Sequence, residues 1–84
     1  MRRPEWWDWE LIITPYAEMR MEQRRLSEME LRTMLGRATS CRPGPVPGRW
    51  STATTHNRQA WKVVLEPDRA LRQVVVITVY PAAG

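Results

Sequence analysis

The sequence predicts a small α+β domain, with an N-terminal strand, two short helices and then a three-stranded antiparallel meander that carries the helices on one face. Three observations give this prediction. Both helix starts carry capping residues, three later segments have the apolar pattern of strands, and turn-forming residues join those segments. Because 84 residues make one domain at most, we expect residues 1–84 to form a single domain.

The composition limits the chemistry that the chain can support. Cys41 is the only cysteine, which excludes an intramolecular disulfide and removes the usual ligands of a structural zinc site. Glycine-rich phosphate loops and dinucleotide fingerprints are absent. We therefore expect no metal, no cofactor and a reducing, cytoplasmic setting. No apolar run approaches the ~20 residues that span a bilayer, and the N-terminus has no signal-peptide pattern, so we expect no membrane insertion.

The positive charge is concentrated in one stretch of the chain. The formal net charge is +4, and no acidic residue lies between Glu30 and Glu66. That stretch contains six cationic residues: Arg32, Arg37, Arg42, Arg49, Arg58 and Lys62. A field of one sign attracts nucleic acid or an acidic partner protein. The alternative is a solvated face with no ligand.

The N-terminal segment combines an aromatic arm, residues 1–8, with a short strand that ends in Leu11-Ile12-Ile13. Trp6, Trp7 and Trp9 precede this strand. These rings either cap an open edge of the core or form a surface for a partner, where tryptophan is favoured.

Two helix starts follow from local signals. Thr14 can cap the free amides of a first helix, and Pro15 suits its first position because a proline has no N–H to leave unpaired. This helix should end near Arg25. Ser27 and Glu30 form a capping box that starts a second helix.

The second helix carries further signals at both ends. Leu26 and Leu31 stand at the positions of a hydrophobic staple, and Gly36 is placed to end the helix.

The remaining chain is predicted to be a loop and three strands. Residues 37–48 are rich in proline and glycine, which predicts a surface loop. The strands are expected at Arg49 to Thr55, Ala60 to Leu65 and Gln73 to Tyr80. The last segment is almost continuously apolar, so we expect it to be the central strand.

Any catalysis must be metal-free and use scattered polar side chains. Cleavage of RNA by its own 2′-hydroxyl has this low requirement: a proton acceptor, a proton donor and cations that stabilise the phosphorane. His56 is the only histidine, and histidine is the side chain that ordinarily changes charge near neutral pH. Thr78 and Tyr80 should point to one sheet face, with Lys62 on the adjacent strand.

Each of these candidates also has a structural interpretation. His56 lies at a predicted turn, where it could be a solvated hairpin residue. Tyr80 could belong to the core, and Arg20 on the first helix could be a surface charge or a phosphate clamp. Arg49 begins a strand and Arg58 belongs to a turn.

Several segments carry a family resemblance. The run Tyr16 to Ser27, the pair Arg49-Trp50, the run Trp61 to Asp68 and the valine-rich strand Val75 to Pro81 together resemble small bacterial proteins catalogued as domain of unknown function 4258. The resemblance covers most of residues 11–81. That family is placed in the barnase, colicin and RelE fold group, with RelE-like and BrnT-like ribonuclease toxins.

The resemblance implies a RelE-like small sheet with helices on one face. It also implies a bacterial toxin–antitoxin system, in which an antitoxin protein, expected here to be acidic, covers the active face. Arg20 matches the helix arginine of the family, while Lys62, Thr78 and Tyr80 match the sheet face that such enzymes use. Tyr16 stands where the family usually has histidine, and a phenol, which keeps its proton at neutral pH, is a poor general base. This departure could mean a different substrate or a lost activity.

The leading hypothesis is a metal-free endoribonuclease toxin that acts on RNA, including messenger RNA on the ribosome. The alternative is a binding module without catalysis, which contacts RNA or an acidic protein through the same basic face. The candidate catalytic residues are Tyr16, Arg20, His56, Lys62, Thr78 and Tyr80, and the candidate substrate-binding residues are Arg24, Arg42, Arg49 and Arg58. The sequence does not predict an oligomeric state.

Overall fold

A computed structural model describes residues 1–82. In these residues the fold is α+β, with two helices and a five-stranded mixed sheet. The elements in chain order are β1 (Glu10–Ile13), α1 (Pro15–Gln23), α2 (Glu28–Gly36), β2 (Ser40–Pro43), β3 (Trp50–His56), β4 (Gln59–Asp68) and β5 (Gln73–Pro81). The strand order across the sheet is β1-β5-β4-β3-β2. Residues 83 and 84, the end of the predicted domain, lie outside the described residues.

Both helices begin at the predicted caps. The Thr14 hydroxyl accepts a hydrogen bond from the Ala17 amide and donates one to the Val76 carbonyl, so the same side chain caps α1 and ties it to β5. At α2, the Ser27 hydroxyl accepts from the Glu30 amide and the Glu30 carboxylate accepts from the Ser27 amide. Each pair satisfies amides that a helix start leaves without an intrahelical partner.

The core lies between the helices and one face of the sheet. Its buried side chains come from the arm, both helices and the inner strands: Trp6, Ala17, Met21, Leu26, Leu31, Met34, Leu35, Trp61, Val63, Leu65, Val74, Val76 and Val79. Trp6 is only 1% exposed, and Trp7 and Trp9 pack against this cluster. The arm therefore contributes to the core, which answers the question that the sequence left open.

The predicted sheet, an N-terminal strand followed by a three-stranded antiparallel meander, is wrong. Strands β3, β4 and β5 do pair antiparallel in sequence, but β1 adds to β5 in parallel and β2 adds to β3. The central strand is β4, whereas the sequence predicted β5. The parallel partner of β1 is distant in sequence, since Thr14 bonds to a carbonyl 62 residues away, and so no local pattern announces it.

Strand β2 lies inside residues 37–48, which were predicted to be a loop. Its register pairs Cys41 with Thr52 and Pro43 with Trp50. A proline has no amide to donate, but β2 is an edge strand and Pro43 is its last residue, so one side of the strand needs no partner. Proline content was therefore a poor guide to loop structure here.

A β-bulge in β5 sets which side chains leave the core. Val64 is opposite Thr78 but Leu65 is opposite Val76, so Ile77 is the extra residue. The bulge lets Val76 and Val79 both face the helices and be fully buried. It also turns Ile77 and Thr78 toward the opposite face of the sheet.

Candidate functional site

The helices leave one face of the sheet uncovered, and we call it the open face. It is formed by the residues of β2 to β5 that alternate with the buried ones. Two rows of cross-strand partners run across it, the first being Ser40, Ala53, Lys62 and Tyr80 and the second Arg42, Ser51, Val64 and Thr78. Cross-strand partners share a face, so the rows place polar and cationic side chains over a partly apolar surface.

A pocket of about 250 Å³ opens on this face. The apolar side chains of Val46, Val64 and Ile77 line it together with Thr78 and Tyr80. The Tyr80 ring is exposed enough to contact a ligand. The pocket therefore joins an apolar floor to hydroxyl groups at its margin.

The segment between β2 and β3 forms one wall of the pocket. The Gly44 amide donates to the Arg49 carbonyl and the Arg49 amide donates to the Val46 carbonyl, which closes the segment into a tight turn. Gly48 has a φ of 84°, a left-handed conformation that favours glycine. These bonds place Arg49 at the wall of the pocket.

Cationic groups surround the pocket. Lys62 and Tyr80 are direct cross-strand partners on β4 and β5. Arg42 occupies the β2 end of the adjacent row. The Arg49 guanidinium lies 3.2 Å from a carboxylate oxygen of Glu66, and both side chains are partly exposed. Around the pocket, these three cations and the Glu66 carboxylate leave a local excess of positive charge, while Asp68 and Glu10 lie further along the same face, in the row of Gln73.

The predicted site residues divide between the two sides of the sheet. Five of them lie on or beside the open face: Arg42, Arg49, Lys62, Thr78 and Tyr80. The other five lie on α1 or at the β3–β4 turn: Tyr16, Arg20, Arg24, His56 and Arg58. The six candidate catalytic residues are therefore not gathered at one point.

The α1 residues lie on the side of the sheet that the helices cover. Tyr16 is 55% exposed, and Arg24 is the C-terminal cap of the helix. The Arg20 side chain donates to the Gln23 side chain at 3.3 Å. Its Nε atom is buried and has no hydrogen-bond partner among the described residues. Arg20 is thus held along the surface of its own helix.

His56 contacts helix α2 instead of the open face. Its Nε2 atom is 3.4 Å from a Glu30 carboxylate oxygen and 3.3 Å from the Asn57 side-chain nitrogen. Its ring packs edge-on against Trp61, with centroids 6.0 Å apart. The prediction of a solvated hairpin residue does not describe this environment, because the His56 side chain is only 15% exposed.

The hydrogen bonds of the capping box lower the pKa of Glu30. The largest cause is the bond from the Ser27 backbone amide, followed by the bond with the Ser27 side chain. The charge of His56 has a smaller effect in the same direction. The lowered pKa favours the ionised Glu30 carboxylate, which accepts from the Ser27 amide and lies beside His56.

Arg58 belongs to the β3–β4 turn. Asn57 and Arg58 have φ values of 49° and 63°, which is the left-handed pair that a tight hairpin turn requires. Arg58 is exposed at this turn, away from the pocket wall.

Sequence reasoning missed Glu66, because Pro67 made that segment look like a turn. In the structure β4 continues to Asp68, so Glu66 is a strand residue on the same face as Lys62 and Val64. The period-two alternation from Lys62 was the signal that could have placed it.

Within residues 1–82, no group of three or more histidine, cysteine, aspartate or glutamate side chains is arranged to hold a metal ion. The same residues contain no helix that is long and apolar enough to cross a membrane.

Comparison with protein-family models, curated proteins and solved structures found nothing that matches this chain. The resemblance to domain of unknown function 4258 therefore stays a hypothesis, and the site must be interpreted from its own geometry.

Proposed function

We propose that the open face binds single-stranded RNA. The observation that carries this proposal is the placement of Lys62 directly beside Tyr80, at the margin of an apolar pocket that Arg49 also lines. Single-stranded RNA offers phosphates and unstacked bases in alternation. Proteins bind such strands by combining a cationic groove with aromatic rings on which bases stack.

The same features favour RNA over an acidic protein. Carboxylates would satisfy Arg42 and Lys62 as well as phosphates do, but they make no use of an accessible ring above an apolar floor. An unstacked base is flat and partly apolar, so it can enter the pocket and contact Tyr80 while the neighbouring phosphates reach the cations. Acidic protein is therefore the competing outcome of the test below.

Binding is tested with a fluorescently labelled single-stranded RNA by anisotropy at several salt concentrations. Neutralising about three phosphates on a single strand predicts a slope of log K against log salt of about −2. Lys62→Gln should weaken binding and reduce the magnitude of that slope by about 0.7. The matched control is Arg37→Gln, which removes the same charge from the end of α2.

A second pair of variants tests the role of the ring. Tyr80→Leu should weaken binding by about 1–3 kcal/mol, the usual value of one base stacked on an aromatic side chain, while Tyr80→Phe should not. The proposal fails if Lys62→Gln and Arg37→Gln have equal effects, since only net charge would then matter. Equal affinity for polyglutamate would assign the face to an acidic protein.

In the catalytic form of this proposal, the open face also cleaves the RNA that it binds. Lys62 and Tyr80 could act on one phosphate, but Glu66, the β4 carboxylate on this face that is nearest to Lys62 in sequence, lies four residues from it, roughly 13 Å along the strand. His56 contacts α2. Incubation with RNA in EDTA, followed by analysis for 2′,3′-cyclic phosphate ends, separates the two forms. Binding without such ends, unchanged by Arg20→Ala, would reject the nuclease.

The toxin–antitoxin hypothesis rests on the family resemblance. It includes a cytoplasmic location, RNA on the ribosome as a substrate, and an acidic antitoxin that covers the open face. The adjacent gene provides the test: a small acidic protein that co-purifies with this chain and blocks RNA binding would support the hypothesis.

A further inference from the structure

Within residues 1–82, no strand pairs with β1 on the side away from β5, so this side of β1 is a free backbone edge. The Thr14 amide bonds to the Val76 carbonyl, so the backbone groups of alternate residues, including Ile12, face β5. The amide and carbonyl groups of Leu11 and Ile13 consequently point outward from the last strand of the sheet. An edge of this kind is a template for pairing with another chain.

A groove of about 460 Å³ lies along this edge. It is bounded by β1, the exposed side of α1 and the start of α2. Apolar residues of β1, of α1 and of the link between the helices line it: Leu11, Ile12, Ile13, Met21 and Leu26.

Among the residues that the structure describes, every charged one that lines the groove is acidic. Glu18 and Glu22 lie one helical turn apart on α1, and Glu28 is the first residue of α2. Glu28 also makes a 3.3 Å ion pair with Arg32, both partners being exposed. In a chain with a net charge of +4, this local reversal of sign separates the groove from the cationic open face.

We propose that the groove binds an extended segment of a partner protein, in which basic and apolar residues alternate, as an additional strand beside β1. The backbone of the segment would pair with the outward groups of Leu11 and Ile13. Its basic side chains would face α1 and contact Glu18 and Glu22, and the alternate, apolar ones would lie on the other face of the sheet beside Ile12. This is the mode in which main-chain bonds give affinity and alternate side chains give specificity.

A second copy of this chain and a nucleic acid are poorer occupants of the groove. Pairing of β1 with β1 of another copy would bring Glu10 and the groove carboxylates of both copies together, and like charges in close contact are unfavourable. Phosphates would meet the same repulsion. A basic segment is the occupant that this charge pattern favours.

The test uses a short labelled peptide in which lysine and valine alternate, measured by fluorescence anisotropy against the full chain. The double variant that combines Glu18→Gln and Glu22→Gln should bind the peptide about tenfold more weakly, because it removes two partly exposed ion pairs. The matched control is Glu5→Gln with Asp8→Asn, which changes net charge equally outside the groove and should not weaken binding.

Two further probes separate strand addition from simple charge attraction. The same peptide with alternate backbone amides methylated keeps its charges but cannot pair with β1, so it should bind at least tenfold more weakly. A peptide of alternating glutamate and valine should not bind. Equal binding of the methylated and unmethylated peptides, or equal effects of the two double variants, would overturn the proposal. The proposal would also be overturned if sedimentation showed dimers that Glu10→Lys breaks and the peptide did not bind.

Discussion

Replacement of Trp6 by alanine should destabilise the fold strongly, although the residue lies in an N-terminal arm. Its ring is 1% exposed and makes an edge-to-face contact with Trp50, with centroids 5.5 Å apart. Truncation of a buried tryptophan to alanine costs about 3–5 kcal/mol. At about 0.05–0.15 kcal/mol per residue, 84 residues give a total stability of about 4–13 kcal/mol. Trp6→Ala should therefore remove about a quarter or more of the stability.

Urea denaturation followed by far-UV circular dichroism measures this loss. Trp7→Ala is the control, since Trp7 belongs to the same arm but is only partly buried, with Arg3 stacked 5.7 Å from its ring centroid. We expect its cost to be less than half that of Trp6→Ala. Equal costs, or a change below about 0.5 kcal/mol for Trp6→Ala, would refute the assignment of the arm to the core.

Two further predictions concern titratable groups. The folded state lowers the pKa of Glu30 below its ordinary value of 4.5, mainly through the hydrogen bond from the Ser27 amide. The ionised Glu30 carboxylate therefore stabilises the fold above pH 4.5, and this stabilisation is lost as the pH falls through the pKa of Glu30 in the folded chain. The excess stability of wild type over Glu30→Gln in urea should shrink between pH 6 and about pH 3, and a constant excess would contradict this cause. Burial raises the pKa of Cys41 above 9.0, against a smaller opposing effect of Thr52. The folded chain should react with iodoacetamide several-fold more slowly at neutral pH than the urea-unfolded chain, and equal rates would show that the thiol is accessible.

The helix starts could be predicted because their causes are local. A capping box needs only Ser27 and Glu30, three positions apart, and the first helix needs only Thr14 before Pro15. The structure confirms both, since the bonds that define them join neighbours in the chain.

The sheet could be predicted only in part because its edges depend on distant partners. The pairings of β3 with β4 and of β4 with β5 follow from short connections, but β1 pairs across most of the chain and β2 contains Pro43. Neither edge pairing leaves a pattern in its own few residues.

The candidate site divides in the same way. Lys62, Thr78 and Tyr80 could be placed on one face from period-two alternation along adjacent strands. The positions of His56 and Arg20 depend on how the helices pack over the sheet. Local signals for turns and helix ends do not predict this packing.

The pairing of β1 with β5 has a consequence for how the chain acquires its structure. The first strand cannot gain its partner until the last strand exists, so during synthesis residues 10–13 wait until residue 76 has left the ribosome. Until then the arm and β1 expose apolar surface, and nascent chains of this kind depend on late, long-range contacts. We expect premature termination before β5 to yield an aggregation-prone product instead of a smaller folded domain.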